Sequence, residues 1–153
     1  MSQQSIDTQV KTTETLKRPR AEEINDARTK HAYDFVKKSL EKSYEKDLRS
    51  LVRNFPTMVQ NNGLCAAIAF LHAKAKAHHS ALHQTISDWL IEERKLISLK
   101  NDDKEESKDL LEAIVNLKSR DQYRMVSAEV MTYMQWVKRF AEGMLSEDEQ
   151  EEE

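Results

Sequence analysis

The sequence predicts an all-α protein, folded as a compact single-domain bundle of five to seven helices. The 153 residues include only two glycines and two prolines, which leaves too little turn chemistry for a β-rich fold. Apolar residues also recur at spacings of three and four along most of the chain, as in helices with one buried face. The length suits one domain with a substantial core.

Two tails are predicted to flank this domain, which spans residues 19–145. Residues 1–18 are polar and lack apolar periodicity, so we predict a disordered N-terminal tail with no secretory signal. Residues 146–153 carry a run of like charge and predict a disordered acidic tail. Because this tail holds six acids while the whole chain has a formal net charge of −3, the remainder is net positive. That asymmetry permits a nucleic-acid partner.

The first two helices are predicted on either side of Ser43. Pro19 stands at the start of a helix over residues 20–40, because the missing N–H costs nothing in a first turn. Ser43 is the predicted N-cap of the second helix, and Pro56 should make that helix kink or restart. Gly63 is predicted to end it as a left-handed C-cap, a conformation that glycine adopts without steric cost.

The third helix, predicted over residues 64–77, begins with a nearly continuous apolar run. A helix that is apolar all round is expected at the centre of a fold. The turn at Gly63 should fold the second helix against it as an αα-hairpin. A fourth helix is predicted over residues 80–96. Cys65, the single cysteine, is interpreted as a small buried hydrophobe in a protein of the reducing cytosol.

The last two helices are predicted after a polar loop at residues 100–107. Ser107 is the predicted cap of a short fifth helix that carries apolar residues between 110 and 117. Residues 119–122, Ser-Arg-Asp-Gln, have the form of a capping box. The final helix follows over about 20 residues, with one apolar face, and Gly143 is predicted to end it. No apolar run of about 18 residues occurs, so no membrane span is expected.

Catalytic motifs are missing from the sequence. It contains no glycine-rich phosphate loop, no G-x-S-x-G and no Cys-x-x-Cys. The acidic clusters lie among lysines, where nothing indicates the shifted pKa that acid–base catalysis requires. His79 and His83 form an i, i+4 pair, yet no third ligand stands at a convincing position. We therefore expect no enzyme activity, no catalytic residue, no metal site and no cofactor.

Basic residues at helical spacing are the strongest functional signal from the residues themselves. Contact with phosphates needs cations but no particular fold. The candidate residues for such a phosphate contact are Arg28, Arg49, Arg53, Lys74, Lys76, Lys138 and Arg139. The alternative interpretation of such a charge pattern is a solvated helix face.

Several segments, in the same order over about residues 20–144, carry a resemblance to a known family. The most specific are Asn62-Gly63-Leu64 inside an apolar segment and WVKRFA at 136–141. Further similar segments are RTKHAYDFV at 28–36 and HQTISDWL at 83–90. Together they resemble the small subunit of the type III-B CRISPR effector, the Cmr complex.

This resemblance implies a non-catalytic helical protein of the prokaryotic cytosol, acting in antiviral defence. Members of the family stack in copies beside the backbone subunits that hold the guide RNA, and they contact the large polymerase/cyclase-like subunit. Their basic faces line the path of the target RNA, so the resemblance implies that the seven basic residues named above bind RNA. Two alternatives remain open at this point: the type III-A counterpart small subunit, and a purely protein-binding helical adaptor with no RNA contact.

Overall fold

A computed structural model describes residues 18–98 and 110–147 of the protein. These residues contain six α-helices and one π-helical segment but no strand, which confirms the predicted all-α fold class. The helices are α1 (Ala21–Ser39), α2 (Glu45–Asn62), α3 (Leu64–Lys74), α4 (Ala77–Ser87), α5 (Leu110–Val115) and α6 (Arg120–Met144). The π-helical segment is Asp88–Glu93. Nearly all of the two predicted tails, and the polar loop with Ser107, lie outside the described residues.

Helix α6 is the element around which α1 and α2 assemble. Its buried stripe includes Val130, Tyr133 and Val137, each fully shielded from water. Helix α1 runs in the same direction as α6, since Arg28 pairs with Glu129 and Tyr33 lies against Phe140 farther along both helices.

Helix α2 runs the opposite way along α6. Near its start, Arg49 pairs with Glu147, just beyond the end of α6. Beyond its other end, the Cys65 backbone N–H donates a hydrogen bond to the Tyr123 hydroxyl at 3.0 Å, near the start of α6. The last helix therefore spans the length of the bundle.

The prediction that the third helix lies at the centre is wrong. Helix α3 buries Leu64, Ile68 and Leu71 against its neighbours, but Ala66 and Ala73 are exposed to solvent. Alanine on the outer face explains the misleading pattern, because it counts as apolar in a sequence yet loses little when it faces water. The αα-hairpin of α2 and α3 is present as predicted.

Gly63 joins α2 to α3 with no intervening loop. Its N–H donates to the Val59 carbonyl at 2.8 Å and its own carbonyl accepts from Ala67 N–H at 3.1 Å, so it belongs to both helices. Its φ of 88° confirms the predicted positive value, but its ψ of 161° lies outside the left-handed helical region that was expected. This combination is essentially restricted to glycine.

Replacing Gly63 by alanine should lower the free energy of unfolding by about 1–3 kcal/mol, because an alanine at this φ and ψ is strained. The added Cβ would also stand 3.4 Å from the Tyr123 hydroxyl. Urea denaturation followed by circular dichroism measures the change. Gly143→Ala is the matched control: its Cβ would meet nothing within 4 Å, and a helical Gly→Ala exchange gains about 0.5–1 kcal/mol. If the free energy of unfolding changed in the same direction in both variants, the strain at Gly63 would be contradicted.

The predicted boundaries of α2 need two corrections. Ser43 does not cap the helix, because Tyr44 occupies the N-cap position. Pro56 does not make it restart, since α2 is continuous from Glu45 to Asn62. Phe55 and Val59 are buried on the two sides of the proline, and their packing on one face offsets the lost backbone hydrogen bond.

Between α3 and α6 the structure departs further from the predicted helices. The third helix ends at Lys74 rather than near residue 77, because Ala75 adopts a left-handed conformation (φ 51°, ψ 19°). The fourth continues into the π-helical segment, where Arg94 N–H donates to the Trp89 carbonyl at 2.9 Å, five residues back. This wider turn buries the consecutive residues Trp89 and Leu90.

At the N-terminus of α6 the predicted cap is confirmed in part. The Ser119 hydroxyl oxygen accepts a hydrogen bond from Gln122 N–H at 3.1 Å. The Gln122 side chain accepts from Lys118 N–H instead of returning to Ser119, so the reciprocal half of the capping box is not formed. At the other end, Gly143 lies inside the last turn and the helix ends at Met144.

Candidate RNA interface

Arg28 lies inside a salt bridge between α1 and α6. Its Nε donates to Glu129 Oε1 at 3.1 Å and its Nη2 donates to Glu129 Oε2 at 2.9 Å. The third nitrogen donates to the Asn25 side-chain oxygen at 3.2 Å. A two-point contact of this kind is the strongest geometry for an arginine and a carboxylate. The guanidinium of Arg28 therefore holds the two helices in register.

The carboxylate of Glu129 has further partners, and we call Arg28, Trp89, Arg94 and Glu129 the Glu129 cluster. Trp89 Nε1 donates to Glu129 Oε1 at 2.9 Å, and Arg94 Nε lies 3.4 Å from the same oxygen. Glu129 is itself only 8% exposed. A charge this buried is tolerated only when it is paired and hydrogen-bonded, so the cluster joins α1, α6 and the π-helical segment.

Beside the Glu129 cluster, the Tyr133 hydroxyl connects two helices to α6. It lies 2.7 Å from His31 Nδ1 on α1 and 2.7 Å from Thr85 Oγ1 on α4. Burial lowers the pKa of His31, which favours the neutral ring, and burial raises the pKa of Tyr133. This pair of contacts is a structural connection between neutral groups.

Arg49 is also engaged within the protein. Although Arg49 is among the predicted RNA-binding residues, it is only 8% exposed. Its Nη2 donates to Glu147 Oε1 at 3.3 Å. Nearby, Glu45 Oε1 accepts a hydrogen bond from Ser146 N–H at 2.8 Å, which lowers the pKa of Glu45. The start of α2 thus holds the residues that follow α6.

The other predicted RNA-binding residues lie closer to solvent. Arg53, Lys74, Lys76 and Arg139 are exposed, and Lys138 is half-buried. The Lys74 Nζ lies 5.8 Å from the centroid of the Phe70 ring, which leaves its charge at the surface. These five side chains are the part of the predicted set that can reach an external phosphate; we call them the surface cations.

Much of this charge lies toward one end of the bundle. Helix α2 begins there and α6 ends there, as the contact of Arg49 with Glu147 shows. The link between α3 and α4 returns to the same end, because α3 runs back along α2 from the turn at Gly63. Lys74 and Lys76 flank Ala75 in that link. The start of α2, the link between α3 and α4 and the end of α6 therefore lie toward the same end of the bundle, although they are far apart in sequence.

His78 and His79 sit in an environment that favours neutral rings. Burial lowers the pKa of both His78 and His79, and their ring centroids are 4.0 Å apart. In the described part of the chain, no group of three His, Cys, Asp or Glu side chains is placed to hold a metal ion. Nor does any helix within residues 18–98 and 110–147 combine the length and apolar character of a membrane span.

Sequence reasoning missed the aromatic rings beside Arg139. Trp136 and Phe140 stack with ring centroids 5.8 Å apart, and the Arg139 guanidinium lies 5.6 Å from the centre of Trp136. The spacing i, i+3, i+4 was a usable signal, because residues at these intervals share one helix face. The partner ring on α1, Tyr33, is visible only in the fold.

Comparisons of sequence and of fold point to one group of known proteins. A family model described as CRISPR-associated protein (Cas_Cmr5) matches residues 24–144. A curated protein of Thermus thermophilus, the CRISPR system Cmr subunit Cmr5, is 27% identical over 118 residues, covering 76% of this chain and 90% of that protein. The crystal structure of a CRISPR-associated Cmr5 family protein from Thermus thermophilus superposes with a TM-score of 0.63 at 22% identity. That match covers 85% of this chain and 100% of the other.

Proposed function

The chain belongs to the CRISPR-associated Cmr5 family, and on that premise we propose that it is a non-catalytic subunit that binds the phosphate backbone of RNA in its complex. As a Cmr5 protein it is the small subunit of a type III-B CRISPR effector, which decides against the type III-A counterpart. The proposal concerns what this subunit does there: its copies stack beside the backbone subunits and contact the guide and target RNA. Its other partner is the large polymerase/cyclase-like subunit, in the cytosol.

The observation that carries this proposal is the position of the surface cations. Lys74, Lys76 and Arg139 are exposed and come from segments that the fold brings toward one end. A surface of this type reads charge and shape, while base pairing reads the sequence in RNA-guided recognition. Arg28 and Arg49 contribute least, because their guanidinium groups contact Glu129 and Glu147.

The test is the affinity of the reconstituted complex for target RNA at several salt concentrations. One variant carries alanine at all five surface cations, Arg53, Lys74, Lys76, Lys138 and Arg139. We expect weaker binding, independent of target sequence. The slope of log affinity against log salt should become shallower by about 0.7–0.9 for each phosphate that is no longer neutralised. Stacked copies on one RNA should enlarge the effect, because each further contact is intramolecular.

A matched control removes the same kind of charge elsewhere. Lys118 and Arg120 are exposed where α6 begins, at the opposite end of the bundle, and their alanine variants should leave affinity and slope unchanged. If the five-residue variant assembles normally and binds RNA with unchanged affinity and slope, the surface cations are a solvated face. The protein-binding adaptor would then be the correct description.

A further inference from the structure

Three aromatic side chains form a continuous row on the outside of α1 and α6. Tyr33 meets Phe140 edge to face, with ring centroids 5.5 Å apart and an angle of 80°. Phe140 in turn stacks on Trp136 at 5.8 Å. Tyr33 is 39% exposed, one of the few large apolar side chains in the described residues with this much contact with water. Trp136 and Phe140 are half-buried, so the row is anchored in the fold and open on one side.

Two cations lie against the faces of these rings. The Lys37 Nζ is 5.9 Å from the centroid of Tyr33, and the Arg139 guanidinium is 5.6 Å from that of Trp136. Among the described residues, neither cation forms an ion pair with a carboxylate. We call these five residues the aromatic–basic surface: Tyr33, Lys37, Trp136, Arg139 and Phe140.

We propose that the aromatic–basic surface is a stacking site for an unpaired nucleobase of single-stranded RNA, with Lys37 and Arg139 contacting the flanking phosphates. Any base presents a π-face, so stacking on Tyr33 or on the Arg139–Trp136 pair is independent of sequence. The site rests on the proposed function, since it assumes that RNA passes this subunit. It adds a base contact to a surface that otherwise reads only phosphates.

The positive charge of the aromatic–basic surface favours RNA over a protein as its partner. A protein that covered the rings would also have to desolvate the ammonium of Lys37 and the guanidinium of Arg139, which is costly unless it supplied two carboxylates. A nucleotide brings the aromatic face and the negative charge together, one base and one phosphate at a time. The alternation of rings and cations therefore fits single-stranded nucleic acid.

Trp136 provides a direct optical readout. The chain has two tryptophans, and Trp89 is only 1% exposed, so a base can reach only Trp136. Titration of the full-length protein with an eight-nucleotide single-stranded RNA should quench tryptophan fluorescence. An RNA of the same length with abasic sites throughout, and the same RNA in a duplex, should quench little. Trp136→Phe, which keeps an aromatic ring in place, should abolish the quenching because Trp89 then reports alone.

The affinity measurement uses Tyr33→Ala, an exposed position where truncation leaves the core intact. Loss of one stacked base is expected to weaken binding of the single-stranded RNA by about tenfold and to leave binding of the abasic RNA unchanged. Met125→Ala is the control, since Met125 is 50% exposed near the start of α6, and it should bind both RNAs as the unchanged protein does.

Each outcome separates this site from the phosphate contacts. Equal affinity for single-stranded and abasic RNA, with no quenching, would overturn the stacking site while leaving the salt slope of the surface cations intact. If tryptophan fluorescence is quenched but the alanine variant of the surface cations has an unchanged salt slope, the phosphate contacts would instead be overturned. If Tyr33→Ala prevents assembly of the complex in the absence of RNA, the aromatic–basic surface is a protein contact and the stacking site is wrong.

Discussion

Replacing Glu129 by alanine is expected to lower the free energy of unfolding by about 2–4 kcal/mol, because it leaves buried donors without their acceptor. Arg28 loses both of its bonds to the carboxylate, and the indole N–H of Trp89 loses its acceptor. The expected value lies below the usual maximum for a broken buried pair. The side chains of Arg28 and Arg94 remain 12% and 23% exposed and regain some hydration.

Urea denaturation of the isolated subunit measures this effect. Glu142→Ala is the matched control: it removes a glutamate from the exposed face of the same helix, where the change should stay within about 0.5 kcal/mol. The loss of unfolding free energy in Glu129→Gln should lie between those of Glu129→Ala and Glu142→Ala. The glutamine amide still offers an oxygen to the Trp89 indole N–H, but it offers no negative charge to the arginines. A midpoint for Glu129→Ala that matches the control would show that the Glu129 cluster contributes nothing to stability.

Replacing Trp89 by alanine should lower the free energy of unfolding by about 3–5 kcal/mol, as for other large buried aromatic side chains. Trp89 is 1% exposed and lies parallel to the Tyr133 ring, with centroids 5.5 Å apart and an interplanar angle of 11°. Alanine would remove that stacking and the hydrogen bond to Glu129, and would open a cavity beside the π-helical segment.

Trp89→Phe separates packing from hydrogen bonding at this position. Phenylalanine keeps a ring against Tyr133 but cannot donate to Glu129, so the expected loss is about 1.5–3 kcal/mol. The double variant Trp89→Phe with Glu129→Ala should lose less than the sum of the two single changes, because both remove the same hydrogen bond. Strict additivity in denaturation experiments would contradict a shared interaction.

The long amphipathic helices were predictable because their signal is local. Val126, Val130, Tyr133 and Val137 mark one face of α6 in the sequence, and the structure buries all four. The π-helical segment was not predictable in the same way. One wider turn changes which residues share a face, and a search for a 3.6-residue period cannot show where that turn occurs.

At the candidate site too, features set by neighbouring residues were predictable from the sequence, and contacts between distant residues were not. Exposure of Lys74, Lys76 and Arg139 follows from their places on or beside helices. The engagement of Arg28 depends on Glu129, which is 101 residues away along the chain, and spacing within one helix carries no such information. A signal did exist: Glu129 interrupts the apolar face of α6, where a carboxylate requires a buried partner.

The position of α6 has a consequence for the order in which the protein can form during its synthesis. Ala32 and Val36 of α1 are buried in a helix whose main packing partner is α6, so the ribosome releases α1 and α2 well before their partner exists. At about 5–20 residues per second, the 25 residues of α6 alone take about 1–5 s to synthesise. A helix in a protein owes most of its stability to the packing of its apolar face against other elements. The nascent chain therefore exposes apolar faces until its last helix emerges, and folding of the bundle is a late event that completes only after α6 leaves the ribosome.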